Sequence, residues 1–151
     1  MKRSAALTPL SRDHHHALVV ASALTRAGAG TCRSSATLFA DFIAEHEASH
    51  FAVEEALLLP VLPPGERAES LRARVRADHE YLRQQAEALR HGRLQPTVEL
   101  TASLGARLRA HVQLEERELF PYIEQSLDAA SLDRLGLQLE AGTSPPQTQH
   151  G

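Results

Sequence analysis

The chain has a single cysteine, no tryptophan and only 4% aromatic residues. A lone Cys32 excludes an intrachain disulfide and leaves a thiolate metal or redox site without support; it reads as a surface thiol in a loop. No apolar run approaches the ~20 residues that span a bilayer. The net charge is −3, so the basic footprint of a nucleic-acid binder is absent. Arg12, Asp13 and three histidines interrupt the apolar stretch a signal peptide would need, and the expected location is cytoplasmic. At 151 residues the chain can bury one core without disulfides and is expected to form one domain.

What the chain does have is alanine, leucine, arginine and glutamate, which favour helix, and nine histidines. It also has an internal echo. His50-Phe51-Ala52-Val53-Glu54-Glu55, closed by Leu58-Leu59-Pro60, recurs as His111-Val112-Gln113-Leu114-Glu115-Glu116, closed by Leu119-Phe120-Pro121. Residues four apart stack on one face of an α-helix, about 6 Å of rise between them. Each copy therefore aims one imidazole and one carboxylate the same way.

Apolar periodicity divides the chain into four long helices. The first starts at Thr8-Pro9, with Thr8 as N-cap, and Gly28 and Gly30 end it. On it His14 projects along the apolar stripe, while His15 and His16 are rotated off by ~100° and ~200°. A register shift at the helix start would make His15 the reserve candidate. The second helix is capped by Ser34 or Ser35 and runs to about Leu59, with His46, His50 and Glu54 inside its apolar face. The third runs over about 66–90 with His79 at the edge of its stripe; its arginines, interleaved with acids, read as a solvated face. The fourth opens near Pro96-Thr97, carries His111 and Glu115 inward and passes Phe120, where Pro121 should kink or end it. A short fifth helix over 127–139, capped by Ser131, lies across one end, and residues 142–151 form a disordered tail. The predicted fold is all-α: an up-down-up-down antiparallel four-helix bundle over residues 1–141.

Each long helix thus brings one histidine inward, and two of them add a glutamate one turn on. A single His-x-x-x-Glu is ordinarily a polar surface pair. Here the pairs and the remaining histidines all face one core, where unpaired carboxylates would cost several kcal/mol unless protonated or met by a cation. Imidazoles and carboxylates without thiolate suit iron, manganese or zinc. Six ligands exceed the four of a structural zinc tetrahedron and fit two metals roughly 3.5–4 Å apart. The ferritin-like pattern needs Glu-x-x-His twice, and only Glu47-x-x-His50 is present.

The series His14, His50-x-x-x-Glu54-Glu55, Asp78-His79 and His111-x-x-x-Glu115-Glu116 resembles the hemerythrin-like (HHE cation-binding) family, over about residues 7–123. The resemblance implies a non-haem di-iron centre, two iron ions with an oxo or hydroxo bridge. Glu54 and Glu115 would bridge the irons, His14 and His50 would bind one, and His79 and His111 the other. The oxygen-carrying hemerythrins place two histidines four apart on the third helix; here Val75 and Arg83 flank His79 at that spacing. Their fourth-helix acid follows its histidine by five positions, whereas Glu115 follows by four. The chain is more similar to the four-histidine, two-glutamate members linked to nitric-oxide stress, iron–sulfur repair, or iron and oxygen sensing.

The expected partners are therefore dioxygen or nitric oxide, with no nucleic acid and no membrane. Iron donation, storage or cluster repair is the alternative, and a metal that only staples the bundle is the third reading. His46 could add a fifth imidazole but reads better as a buried, hydrogen-bonded side chain. His91 and His150 read as surface residues.

Overall fold

The computed structural model describes residues 3–143, which are mostly helical and contain no strand. Six α-helices follow in order: α1 (Thr8–Thr25), α2 (Cys32–His46), α3 (Glu66–Arg90), α4 (Val98–Leu114), α5 (Phe120–Ser126) and α6 (Ala129–Thr143). Between α2 and α3 the chain stays helical through two π-turns, Glu47–Phe51 and Glu54–Leu58, and a 3₁₀ turn, Leu59–Val61. A third π-turn, Glu115–Leu119, joins α4 to α5. Residues 144–151, most of the expected tail, lie outside the described residues, and α6 takes in Gly142 and Thr143.

The starts of several helices differ from expectation. Thr8 opens α1 as its first residue, and its hydroxyl donates to Ser4 O at 3.0 Å instead of capping the helix. Helix α2 begins at Cys32, before Ser34 and Ser35, because Gly28 N donates to Thr31 Oγ1 and closes a turn just ahead of it. Cys32 is accordingly not a surface loop thiol: it is buried in the first turn of α2, with Sγ 3.1 Å from Pro96 O. Thr97 caps α4 by accepting from Leu100 N. Asp128, not Ser131, caps α6, its Oδ1 accepting from Ser131 N at 2.7 Å. Helix α3 runs as read, and Gly92 just beyond it has φ +70°, a conformation open to glycine.

Helix α1 packs against α4 and α2, α2 against α3, and α3 against α4, while α6 leans on α1 and the π-turns. The buried apolar residues fall into two clusters. One gathers Leu10, Leu58, Val75, Leu114, Leu119 and Phe120, joined by Leu135 and Leu139 of α6. The other gathers Ala17, Ile43, Phe51, Leu82, Leu104 and Leu108. His14 lies between Leu10 and Ala17 on α1, His79 between Val75 and Leu82 on α3, and His111 between Leu108 and Leu114 on α4. A polar layer is thus sandwiched between two apolar ones.

Candidate metal centre

All six residues singled out from the sequence meet in that layer. His14, His50, Glu54, His79, His111 and Glu115 are buried, and Glu54, His79 and Glu115 are 0% exposed. His79, read as an inward histidine near the edge of its stripe, is fully buried, with Phe51 stacked on its ring at 4.2 Å. Phe120 lies parallel to His14 at 5.4 Å. His15 and His16 are exposed, so the α1 register is the one read from the sequence.

The donors form two overlapping quartets. Ligand atoms of His14, His50, Glu54 and Glu115 lie within 4.8 Å of one another, and so do those of Glu54, His79, His111 and Glu115. Both carboxylates belong to both groups. Within them His14 Nε2 is 2.7 Å from Glu115 Oε1, and His79 Nε2 is 3.1 Å from Glu54 Oε1. His50 Nε2 is 3.4 Å from Glu54 Oε2, and His111 Nε2 is 3.5 Å from Glu115 Oε2.

Four further carboxylates hold the rings from outside. His50 Nδ1 meets Asp13 Oδ2 at 3.1 Å, His79 Nδ1 meets Glu55 Oε2 at 2.7 Å, and His111 Nδ1 meets Asp78 Oδ2 at 2.9 Å. His14 Nδ1 lies 3.3 Å from Glu116 Oε2 without hydrogen-bond alignment. The pattern is cyclic: each outer acid adjoins a site residue in sequence and reaches the histidine of the next segment. Sequence reasoning quoted Glu55, Asp78 and Glu116 within the motifs but gave none of the four acids this role. Their signal was adjacency, in Asp13-His14, Glu54-Glu55, Asp78-His79 and Glu115-Glu116.

This outer ring decides the chemistry of the inner atoms. A neutral imidazole that donates from Nδ1 presents a lone pair at Nε2. At His50, His79 and His111 that lone pair faces carboxylate oxygens, so acceptor meets acceptor. Nε2 of His79 and His111, both Glu54 oxygens and Glu115 Oε2 have no hydrogen-bond partner although they are buried. Only protons or cations between these atoms relieve the arrangement. In the metal-free chain protons do so. Burial works to lower the His14 pKa, but its contacts with Glu115 and Glu116 raise it to about 9. Burial likewise opposes charge on His50, yet Glu54, Asp13 and Glu115 push its pKa well up. Burial would raise Glu115, but neighbouring His111 and the hydrogen bonds of His14 and His50 hold it well below the usual carboxylate range. Four imidazoles and two carboxylates without thiolate are a donor set for iron, manganese or zinc, and the residues fit a metal.

A family model for the hemerythrin HHE cation-binding domain matches residues 7–131. The chain belongs to that family. No curated protein and no solved structure matches it. The hemerythrin-like domain therefore carries a histidine and glutamate cluster able to hold metal cations.

Two readings need correction. His46 is half-buried and is not hydrogen-bonded at Nε2; it lies against Phe42 at 4.0 Å and His50 at 5.2 Å, and is in neither quartet. The α3 arginines are more than a solvated face. Arg83 donates to Glu55 at 2.8 Å and to Glu47, and Arg72 donates to the carbonyls of Leu59 and Leu62. His91 is exposed, and His150 lies outside the described residues.

Proposed function

We propose that this hemerythrin-like domain holds two iron ions in a non-haem di-iron centre and binds or reacts with dioxygen or nitric oxide, in sensing or stress defence. The observation that carries the reading is the sharing of Glu54 and Glu115 by both donor quartets. Two carboxylates common to two quartets suit a bridged pair of metals better than one closed tetrahedron. Each metal would have two imidazoles and two carboxylates, leaving positions for a diatomic ligand. When bound, such a pair supplies two electrons and open coordination sites.

The chain's own residues do the rest. Asp13, Glu55 and Asp78 hold the proton on Nδ1 of His50, His79 and His111, which keeps Nε2 free as a donor toward the metal. Phe51 and Phe120, flat against His79 and His14, fix those rings and keep water from them.

The up-down-up-down bundle belongs to the same proposal. Along α1 the chain passes from the first apolar cluster to the second, returns along α2 and its π-turns, passes again along α3 and returns along α4. That alternation supports antiparallel neighbours. No helix among the described residues is long and apolar enough to cross a membrane. The proposed ligands are small gases, with neither nucleic acid nor membrane as partner.

Iron handling is the second reading, and a group of half-buried Asp13 and His46 with the buried His50 beside the centre favours it. Rapid mixing of the reduced, iron-loaded protein with oxygen or nitric oxide tests the first. The expected result is fast oxidation in air without an adduct that gives back its oxygen under argon, and a distinct nitrosyl spectrum. A chain that purifies with one zinc, indifferent to both gases, would leave only a structural staple.

A further inference from the structure

The centre is sealed, since none of its six side chains reaches the surface appreciably. A metal ion must nevertheless get in. Among the described residues, the four outer carboxylates are the charged groups paired with the buried rings and partly open to solvent, and three of them are closed by arginine. Glu55 is held by Arg83 at 2.8 Å, Asp78 by Arg107 at 2.9 Å, and Glu116 lies 3.9 Å from Arg3 while accepting from Ser11. Asp13 is different. Among the described residues no arginine or lysine pairs with it, and its side chain is 35% exposed.

Histidines surround Asp13 instead. Ligand atoms of Asp13, His46 and His50 lie within 4.8 Å of one another. The His46 ring is 5.2 Å from that of His50, and its Nε2 is without a hydrogen-bond partner. On the outer side His16, exposed on α1, stands 6.3 Å from His46 with its edge toward Phe42. One carboxylate and two imidazoles make a set that borderline divalent cations accept. His50 belongs to both places: Nδ1 faces Asp13 on the outer side, and Nε2 faces Glu54 and Glu115 inside.

We propose that Asp13 and His46, backed by His50, form a third, exchangeable site for a divalent metal ion on the α1–α2 face, from which metal passes into the buried centre. The site rests on the dinuclear reading for its destination. No covalent or redox step is involved. While the ion sits outside, His50 carries its proton on Nε2, toward Glu54, and turns its Nδ1 lone pair to the ion. As the ion exchanges the Asp13 and His46 donors for those of the inner quartet, that proton leaves Nε2 for solvent and Nδ1 takes one up, restoring its bond to Asp13.

The test uses the full metal-free chain and cobalt(II) as probe, followed by absorption at equilibrium and in stopped flow. The parent chain should take two equivalents tightly and a third weakly. His46→Ala and the size-conserving His46→Gln should keep the two tight equivalents, lose the third and fill the centre about tenfold more slowly. His15→Ala, at an exposed neighbour outside both groups, should behave as the parent. A parent without the weak third equivalent overturns the proposal. So do His46 variants that load at the parental rate, or that lose a tight equivalent, since His46 would then be a ligand of the centre itself. A parent that binds no tight equivalent sinks the dinuclear reading, a failure visible without any variant.

Discussion

At the scale of single residues, every imidazole of the centre stands between two carboxylates, and at His50, His79 and His111 the outer one sets what the inner nitrogen can do. Removing an outer acid should therefore loosen metal without removing a ligand. Asp78→Ala should weaken binding about 10–100-fold, chiefly in the His79 and His111 half, as read by competition with a chromophoric chelator. Protonation supplies a second prediction. His14 has a folded pKa of about 9 against an ordinary 6.5, so its stabilising contribution in the metal-free chain is full below 6.5 and lost as pH rises through about 9. Glu115 is depressed below its ordinary 4.5, so its contribution is present above 4.5 and lost as pH falls through the lowered value. Metal-free protein should thus become easier to denature between pH 6.5 and 9. Metal-loaded protein should not, because its imidazoles are already neutral, and it should weaken instead as protons compete on acidification. Denaturant melts of both forms across this range check the opposite slopes.

At the scale of elements, the departure that matters is the π-turn. All three contain residues of the echoed motif, and each closes with an i+5 bond: Ala52 N to Glu47 O, Leu59 N to Glu54 O, Phe120 N to Glu115 O. A widened turn rotates each residue less than the ~100° of an α-helix, which brings positions four apart closer to alignment. Pro60 and Pro121 lie just after two of these turns and remove the N–H that an α-helical ladder would use next. The motif spacing revealed a helix with two inward positions, but not that the helix would widen there. That depends on packing and on which carbonyls find donors. Nor did the sequence mark Gly105 on α4. A Cβ there would meet Ala21 O at 2.8 Å and Thr25 Cγ2 at 2.6 Å, so α1 and α4 approach too closely for any side chain. Gly105→Ala, worth up to about 1 kcal/mol in helix propensity, should nonetheless destabilise the protein by ~1–3 kcal/mol in denaturant titration.

At the scale of the whole molecule, the two quartets tie four helical segments through one polar layer, so ligands that belong to both should matter most. If the proposed dinuclear centre forms, Glu115→Ala should lose both metal ions by elemental analysis, whereas His50→Ala should empty mainly the half it shares with His14. Equal loss from the two variants would mean that the quartets do not act as separate half-sites. Metal removal should lower the melting temperature at pH 8, where the protons that stand in for metal on His14 are beginning to leave.

Helical period and the echoed histidine and glutamate determined by themselves that this chain is helical and which six side chains converge, because residues sharing an apolar stripe must share a core. Family membership was legible for the same reason. Three things were decided only in three dimensions. Asp128 took the cap expected of Ser131, and Thr31, accepting from Gly28 N, closed the turn that starts α2 ahead of Ser34 and Ser35, since a helix start depends on which turn closes in front of it. Cys32 became buried because the chain reaching Pro96 folds over it. The outer ring of Asp13, Glu55, Asp78 and Glu116 formed across neighbouring helical segments, between residues 24 to 102 positions apart in the chain, and no local period records which carboxylate will meet which imidazole.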